Sequence, residues 1–282
     1  MRIPIFLAAA SALALAPSSA FAQADAAPEQ SVFDGDYVTI GAAGVYGPSY
    51  EGSDDQVFYP VPVLQGKLAG IGISPRQGGI GLDLIPDGED PSIGFSLGPV
   101  VTYSRNRHSQ IEDPVVRSAG KLKDAIDVGA NAGVTFYKLL SAYDSLTVSA
   151  DVKWNVNKAH RGMVISPSVS YVTPLSKAML ATVVLSAKHV DDDYADYYYS
   201  VSPAQAAASG LPLYQAKGGW ANMGASALVG YDLDGNLLNG GFAVFGAASY
   251  SRLIKDAKRT PYTSIRGDAD QWVLGAGLAY TF

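Results

Sequence analysis

Apolar and polar residues alternate along several stretches of the chain, the period of a strand whose two faces meet different surroundings. In the segment 144–156, Leu146, Val148, Ala150, Val152, Trp154 and Val156 share one face, while Thr147, Ser149, Asp151, Lys153 and Asn155 share the other. Residues 270–282 repeat the pattern, with Trp272, Leu274, Ala276, Leu278, Tyr280 and Phe282 opposite Gln271, Val273, Gly275, Gly277, Ala279 and Thr281. The same rule holds over 178–189 and 162–173. About twelve strands are predicted, near 37–46, 57–65, 67–74, 78–85, 92–104, 127–138, 144–156, 162–173, 178–189, 219–231, 240–253 and 270–282. Their typical length is close to the ~9–11 residues of a tilted membrane-spanning strand. The second to fourth are the weakest, and Pro60 and Pro62 interrupt the second with residues that cannot donate to a ladder.

A single alternating strand fits a soluble sandwich as well as a membrane barrel, because either can place its polar face in water. The connections separate the two. If both ends of an even-stranded barrel are periplasmic, odd connections lie outside, and barrels keep the even, periplasmic ones short. The three longest, 105–126, 190–218 and 254–269, are the fifth, ninth and eleventh. The sequence therefore predicts an all-β fold: an antiparallel transmembrane β-barrel over 37–282, with a short periplasmic segment, 23–36, before it.

Composition sharpens this expectation at the N-terminus. Arg2, the apolar run 3–15 and the small residues around Ala20 and Ala22 have the form of a cleaved signal peptide, residues 1–22, which implies export through the Sec pathway. The absence of cysteine removes disulfides and thiolate chemistry. A formal net charge of −6 argues against nucleic acid as a partner. The 30 glycines and 17 tyrosines suit tightly packed sheet with aromatic belts.

Candidate chemistry is sparse. His108, His160 and His189 have no zinc-motif spacing, Glu51, Asp54 and Asp55 lack the pattern of a calcium loop, and the glycines of 41–47 match no nucleotide fingerprint. No catalytic residue, cofactor or metal site is predicted. Asp151, Lys153, Asn155 and Lys188 fall on the polar faces and are expected to face the lumen, since a basic side chain in lipid at midplane would cost roughly 2–4 kcal/mol. In the segment 191–219, Asp191, Asp192 and Asp193 stand beside Tyr197, Tyr198 and Tyr199, candidate outer-loop contacts for cations, sugars or lipopolysaccharide-bound metal. The alternative is a folded loop packing its tyrosines over the barrel mouth. Ser202-Pro203 predicts a short helix that Gly210 stops. Tyr280 and Phe282, ending the last strand, are expected to form the signal read by the barrel assembly machinery.

Three runs together carry a family resemblance: Gly47-Pro48-Ser49-Tyr50-Glu51-Gly52-Ser53-Asp54-Asp55 with Tyr59-Pro60-Val61-Pro62; Val201-Ser202-Pro203-Ala204-Gln205-Ala206 with Gly210-Leu211-Pro212 and Tyr214; and the closing 275–282. In this order they resemble the MltA-interacting protein family, also called the MipA/OmpV family. The resemblance implies a cell outer-membrane barrel, in contact with lipid and lipopolysaccharide, that acts as a non-catalytic scaffold for peptidoglycan enzymes, bringing a lytic transglycosylase to a penicillin-binding synthase. It also leaves room for a porin-like passive pore for solutes or antibiotics, or for a surface adhesin. It carries no catalytic residues to this chain.

Overall fold

The alternating segments join edge to edge into one sheet closed on itself. In the computed structural model, which describes residues 31–88 and 91–282, the barrel is built from twelve antiparallel strands, each hydrogen-bonded to its neighbours in chain order. These are β1 (Tyr37–Pro48), β2 (Gln56–Leu68), β3 (Ile71–Arg76), β4 (Gly79–Asp83), β5 (Ile93–Ser104), β6 (Ala125–Tyr137), β7 (Ser145–Asn155), β8 (Met163–Pro174), β9 (Met179–Val190), β10 (Gly219–Asp232), β11 (Gly241–Leu253) and β12 (Asp270–Thr281). The predicted signal peptide lies outside the described residues.

Closure comes from β1 and β12, paired from Thr39↔Thr281 to Tyr46↔Leu274. The hydroxyls of Thr39 and Thr281 add a bond of 2.8 Å across this junction. A closed sheet matters in lipid, where unpaired backbone groups have no water to satisfy them. Outward positions are apolar and exposed, among them Ile40, Phe58, Phe95, Leu97, Leu185, Leu274 and Leu278. Aromatic residues gather near both ends of this band. Trp272 stacks near Tyr250 at the upper end of β12, with ring centroids 4.8 Å apart, and Tyr280 sits 4.7 Å from Phe242 at the lower end. This is the surface of a membrane barrel with interfacial girdles.

The strand forecast misplaces one element. The predicted strand 67–74 begins too early, because β2 continues to Leu68 and a two-residue turn follows, with Ala69 and Gly70 at φ 50° and 80°. Both angles belong to the hairpin turn that matches strand twist. β3 and β4 are consequently short, six and five residues.

The upper connections carry five helices: α1 (Pro114–Ser118), α2 (Asp192–Tyr199), α3 (Pro203–Ser209), α4 (Lys255–Arg259) and α5 (Pro261–Ser264). The lower rim holds both described ends of the barrel and the shorter turns. A 3₁₀ turn, Val32–Asp34, capped by Ser31, is tied there by a bond of 2.8 Å from the Val32 amide to the Leu238 carbonyl.

Candidate functional site

The upper mouth is covered. Residues 49–55, 105–124, 191–218 and 254–269 fold together into a cap around two apolar clusters. One contains Tyr194, Ala195, Tyr198 and Tyr199 from α2 with Val190, Leu253 and Ala257. The other contains Tyr50, Ile111, Val116, Val201, Leu211 and Tyr262. Arg107 lies fully buried in the cap, its guanidinium carbon 3.7 Å from the Tyr262 ring centroid and its Nη1 donating to the Tyr198 carbonyl at 3.1 Å. Burial pulls this guanidinium below its ordinary pKa. The Tyr50 hydroxyl, raised in pKa first by burial and next by Asp113, donates to the carbonyls of Tyr262 and Arg266, both at 3.2 Å.

Polar side chains stitch the cap to the wall. The Gln271 amide group accepts from the Gly52 amide at 3.1 Å and donates to the carbonyls of Ser53 and Asp268 at 3.1 and 2.7 Å, joining loop 49–55 to the start of β12. Arg266 meets Asp113 at 2.6 Å. Burial alone would push the Asp113 carboxyl up, but the Arg266 guanidinium and the Val116 amide outweigh it and hold the carboxyl below its ordinary value.

The candidate outer-loop contacts are largely used inside this cap. Asp191 is the N-cap of α2, accepting from the Tyr194 amide at 3.0 Å and the Met163 amide at 2.7 Å. Asp192 accepts from the Gly218 amide at 2.6 Å. Tyr198 and Tyr199 are buried, Tyr197 is half-buried with its hydroxyl bonded to the Lys123 amide at 2.8 Å, and Asp193 is exposed. An Asp N-cap, two acids in the first turn, and Tyr194 and Tyr198 four residues apart are the helix signals that the run contained. The Ser202-Pro203 forecast corresponds to α3, with a reciprocal capping box between Ser202 and Gln205 and Gly210 at φ 73° as its stop.

Below the cap, Asp151 faces the lumen and meets Arg76 at 3.0 Å. Lys153 lies in the field of Asp151 and Asp127. Asn155 donates to Asp127 at 3.0 Å, and Asp127 also accepts from His160 at 2.9 Å. The Gly162 amide points at His160 Nδ1, at 3.1 Å, which assigns the ring proton to Nε2. Lys188 reaches up to Glu51 at 2.5 Å, and Glu51 also accepts from Asn222 at 3.2 Å. The four lumen candidates thus split: Asp151 and Lys153 stand together, while Asn155 and Lys188 brace the upper turn and the cap. Sequence reading missed Arg76 and Arg107, each an isolated cation in an unremarkable stretch.

The lower rim differs in kind. The turn between β6 and β7 is organised by Asp144, which accepts from the Leu140 amide at 2.9 Å and the Tyr171 hydroxyl at 2.7 Å. It holds Leu140 84 % and Tyr143 70 % exposed, and Leu175, Leu233 and Phe282 are also exposed at this end. Tyr280 and Phe282 contact each other edge to face at 4.6 Å, and the Phe282 amide donates to the Val38 carbonyl at 2.9 Å.

The family model described as MltA-interacting protein MipA matches residues 40–282. A comparison with curated proteins finds no match. Among solved structures, the chain is similar to an outer membrane channel from Pseudomonas putida F1, at 11 % identity over 92 % of this chain and 100 % of that one, with a TM-score of 0.44. It is also similar to the outer membrane channel DcaP of Acinetobacter baumannii, at 9 % identity over 88 % of this chain and 96 % of that one, with a TM-score of 0.39.

Proposed function

Because the chain belongs to the MltA-interacting protein family, matched over residues 40–282, we propose that it is an outer-membrane, non-catalytic scaffold that holds a lytic transglycosylase, and with it a penicillin-binding synthase, at its lower, periplasmic rim. The observation that carries this reading is the contrast between the two ends. The cap turns its aromatic residues inward, whereas the rim presents Leu140, Tyr143, Leu175 and Leu233 to its surroundings. Exposed apolar residues clustered on one surface favour association. The rim turns are small beside the ~800 Å² per partner of a standard interface, so the contact is weak or extends over the barrel edge.

The test is retention. The folded barrel is immobilised, a periplasmic extract of its host is passed over it, and the bound proteins are compared with those on an unrelated barrel of similar size. Selective retention of a lytic transglycosylase or a penicillin-binding synthase, lost in Leu140→Ser/Tyr143→Ser, supports the scaffold; retention of neither removes it. A solute pathway is the second reading, favoured by the charged lumen wall of Arg76, Asp151 and Lys153 and opposed by the cap. Steady single-channel conductance of the unaltered protein would favour it.

A further inference from the structure

Among the described residues, two junctions of the wall carry only three strand pairs each, and one of them is left as an open seam. β1 and β2 pair along their whole length, from Tyr37↔Lys67 to Pro48↔Gln56. β2 and β3 share only three pairs, from Gly66↔Ile73 to Leu68↔Ile71. Above Gly66, the side of β2 turned away from β1 has no strand partner among the described residues.

The direction of the backbone groups at this seam follows from its turn. A two-residue turn at Ala69 and Gly70 is closed by the hydrogen-bonded pair Leu68↔Ile71. Antiparallel alternation then directs the backbone groups of every second residue of β2 away from β1: Gly66 and Leu64 face Ile73 and Pro75 of β3, while Pro62 and Pro60 lie beyond the β3–β4 turn, with no strand opposite them. Three of these positions beyond the last pair are prolines, each removing an N–H that lipid could not satisfy. The Pro75 carbonyl, which also points there, accepts from Arg76 Nη1 at 3.1 Å.

The other short junction is repaired by side chains and by a further backbone bond, from the Leu84 amide to the Leu97 carbonyl at 2.9 Å, which sets the seam apart. β4 and β5 pair only from Gly79↔Thr102 to Gly81↔Val100. Below that, the Asn131 amide donates to the carbonyls of Leu82 and Gly98 at 2.8 and 3.0 Å, and the Leu97 amide donates to Asp83 at 3.1 Å. No such stitches cross from Leu64, Pro62 or Pro60 among the described residues.

Between Val57 and Leu64, β2 is also apolar on both faces apart from the Tyr59 hydroxyl. Phe58, Pro60, Pro62 and Leu64 are exposed outward, while Val57, Tyr59, Val61 and Val63 turn inward. The inward rows of β7 and β9 instead carry Ser149, Asp151, Lys153, Thr182, Ser186 and Lys188.

We propose that the β2–β3 seam is a lateral portal through which an acyl chain of a bilayer lipid passes between the membrane and the apolar sector of the lumen. The prolines choose the occupant. An added peptide strand would need the donors that they remove, and between Val57 and Leu64 a polar solute would find only the Tyr59 hydroxyl. A hydrocarbon chain needs neither, and it meets Phe58 and Leu64 outside and Val61 and Val63 inside. With the upper mouth covered, the membrane side is the opening this sector of the wall provides.

The experiment uses the full barrel in dimyristoylphosphatidylcholine bilayers doped with a phospholipid that carries a photoactivatable diazirine at the end of one acyl chain. Adduct sites are mapped by mass spectrometry. The expected result is labelling of inward Val61, Val63 and Val45 as well as outward Phe58 and Leu64. In Pro75→Val, the restored donor opposite Leu64 lets the β2–β3 ladder gain one pair, and inward labelling at Val63 falls about tenfold while outward labelling stays. Adducts confined to outward residues of the unaltered protein overturn the proposal. So does inward labelling that only a diazirine fatty acid added from water achieves, since that identifies the lower mouth as the route. The decisive map is made on the unaltered protein, so a variant that fails to fold does not rescue the idea.

Discussion

The wall and the cap belong to one chain, yet they are held together differently. Most wall strands are fixed along their length by two neighbours through backbone ladders, such as β6 and β7, paired from Asp127↔Asn155 to Tyr137↔Ser145. Their outward side chains contribute little to shape, because they exchange one apolar contact for another in lipid. The cap has almost no ladder beyond a single bridge between Val201 and Tyr214. It depends on buried side chains, helix caps and ion pairs. Damage to the wall must therefore act on the backbone, whereas damage to the cap needs only one side chain.

The strongest break of this contrast is Gly129→Val in β6. A Cβ at this position would overlap the Val152 carbonyl oxygen and press on the Lys153 backbone, so the ladder has to open rather than a side chain swing aside. The expected outcome is failure to form the barrel, read as loss of the heat-modifiable band on a gel. A protein that still runs as a folded barrel would show that the wall tolerates more than its ladder suggests.

Arg107→Ala should damage only the cap. It removes the contact with Tyr262 and the bond to the Tyr198 carbonyl, and leaves a hole between the two apolar clusters. A loss of about 3 kcal/mol in local stability is expected. Limited proteolysis should then cut within 105–124 or 254–269 while the barrel band persists. Cleavage unchanged from the parent would mean that the cap is held by something other than this core.

The same division decides what the chain disclosed before its fold was seen. The wall was legible because one two-residue period is written on most strands and a misplaced turn, as at Ala69–Gly70, moves a boundary without changing the count. α3 was legible because Ser202, Pro203 and Gly210 are local punctuation. The cap was not, because its order comes from contacts between distant segments: Arg107 under Tyr262, Asp113 against Arg266, Gln271 into Gly52. The reading of 191–219 as a loop packing its tyrosines over the mouth matches Tyr198 and Tyr199, but their partners in α4 and β11 could not be read from the run. The seam fell between these cases, since Pro60 and Pro62 announced a weak strand but not which edge had been left unpaired.

Acid should loosen the cap before the wall. Asp113 is held below its ordinary carboxylate value, so its pairing with Arg266 contributes fully above that ordinary value, near ~3.9, and is lost as pH falls through the lower folded value. Proteolytic resistance of 105–124 should decline in that range. Asp113→Asn keeps a side-chain acceptor for the Val116 amide, which Asp113 binds at 2.8 Å, but removes the ion pair. Its cap should be weaker at neutral pH and lose less on acidification. An equal acid response in both proteins would assign the sensitivity to another group.

Ser202→Ala is the gentlest probe and separates the cap into its parts. Ser202 accepts from the Gln205 amide at 3.3 Å while the Gln205 side chain accepts from the Ser202 amide at 2.9 Å. Removing the hydroxyl breaks one half of this box and should cost α3 about 1 kcal/mol. α3 has no fully buried residue and meets the second cluster through half-buried Ala206, so little of the loss is carried into α2. Amide exchange should quicken at Gln205 and Ala206 and stay unchanged at Tyr198 and Tyr199 in α2. Faster exchange across both helices would mean that the cap opens as one unit, and the contrast would then lie between wall and cap alone, with no independent pieces inside the cap.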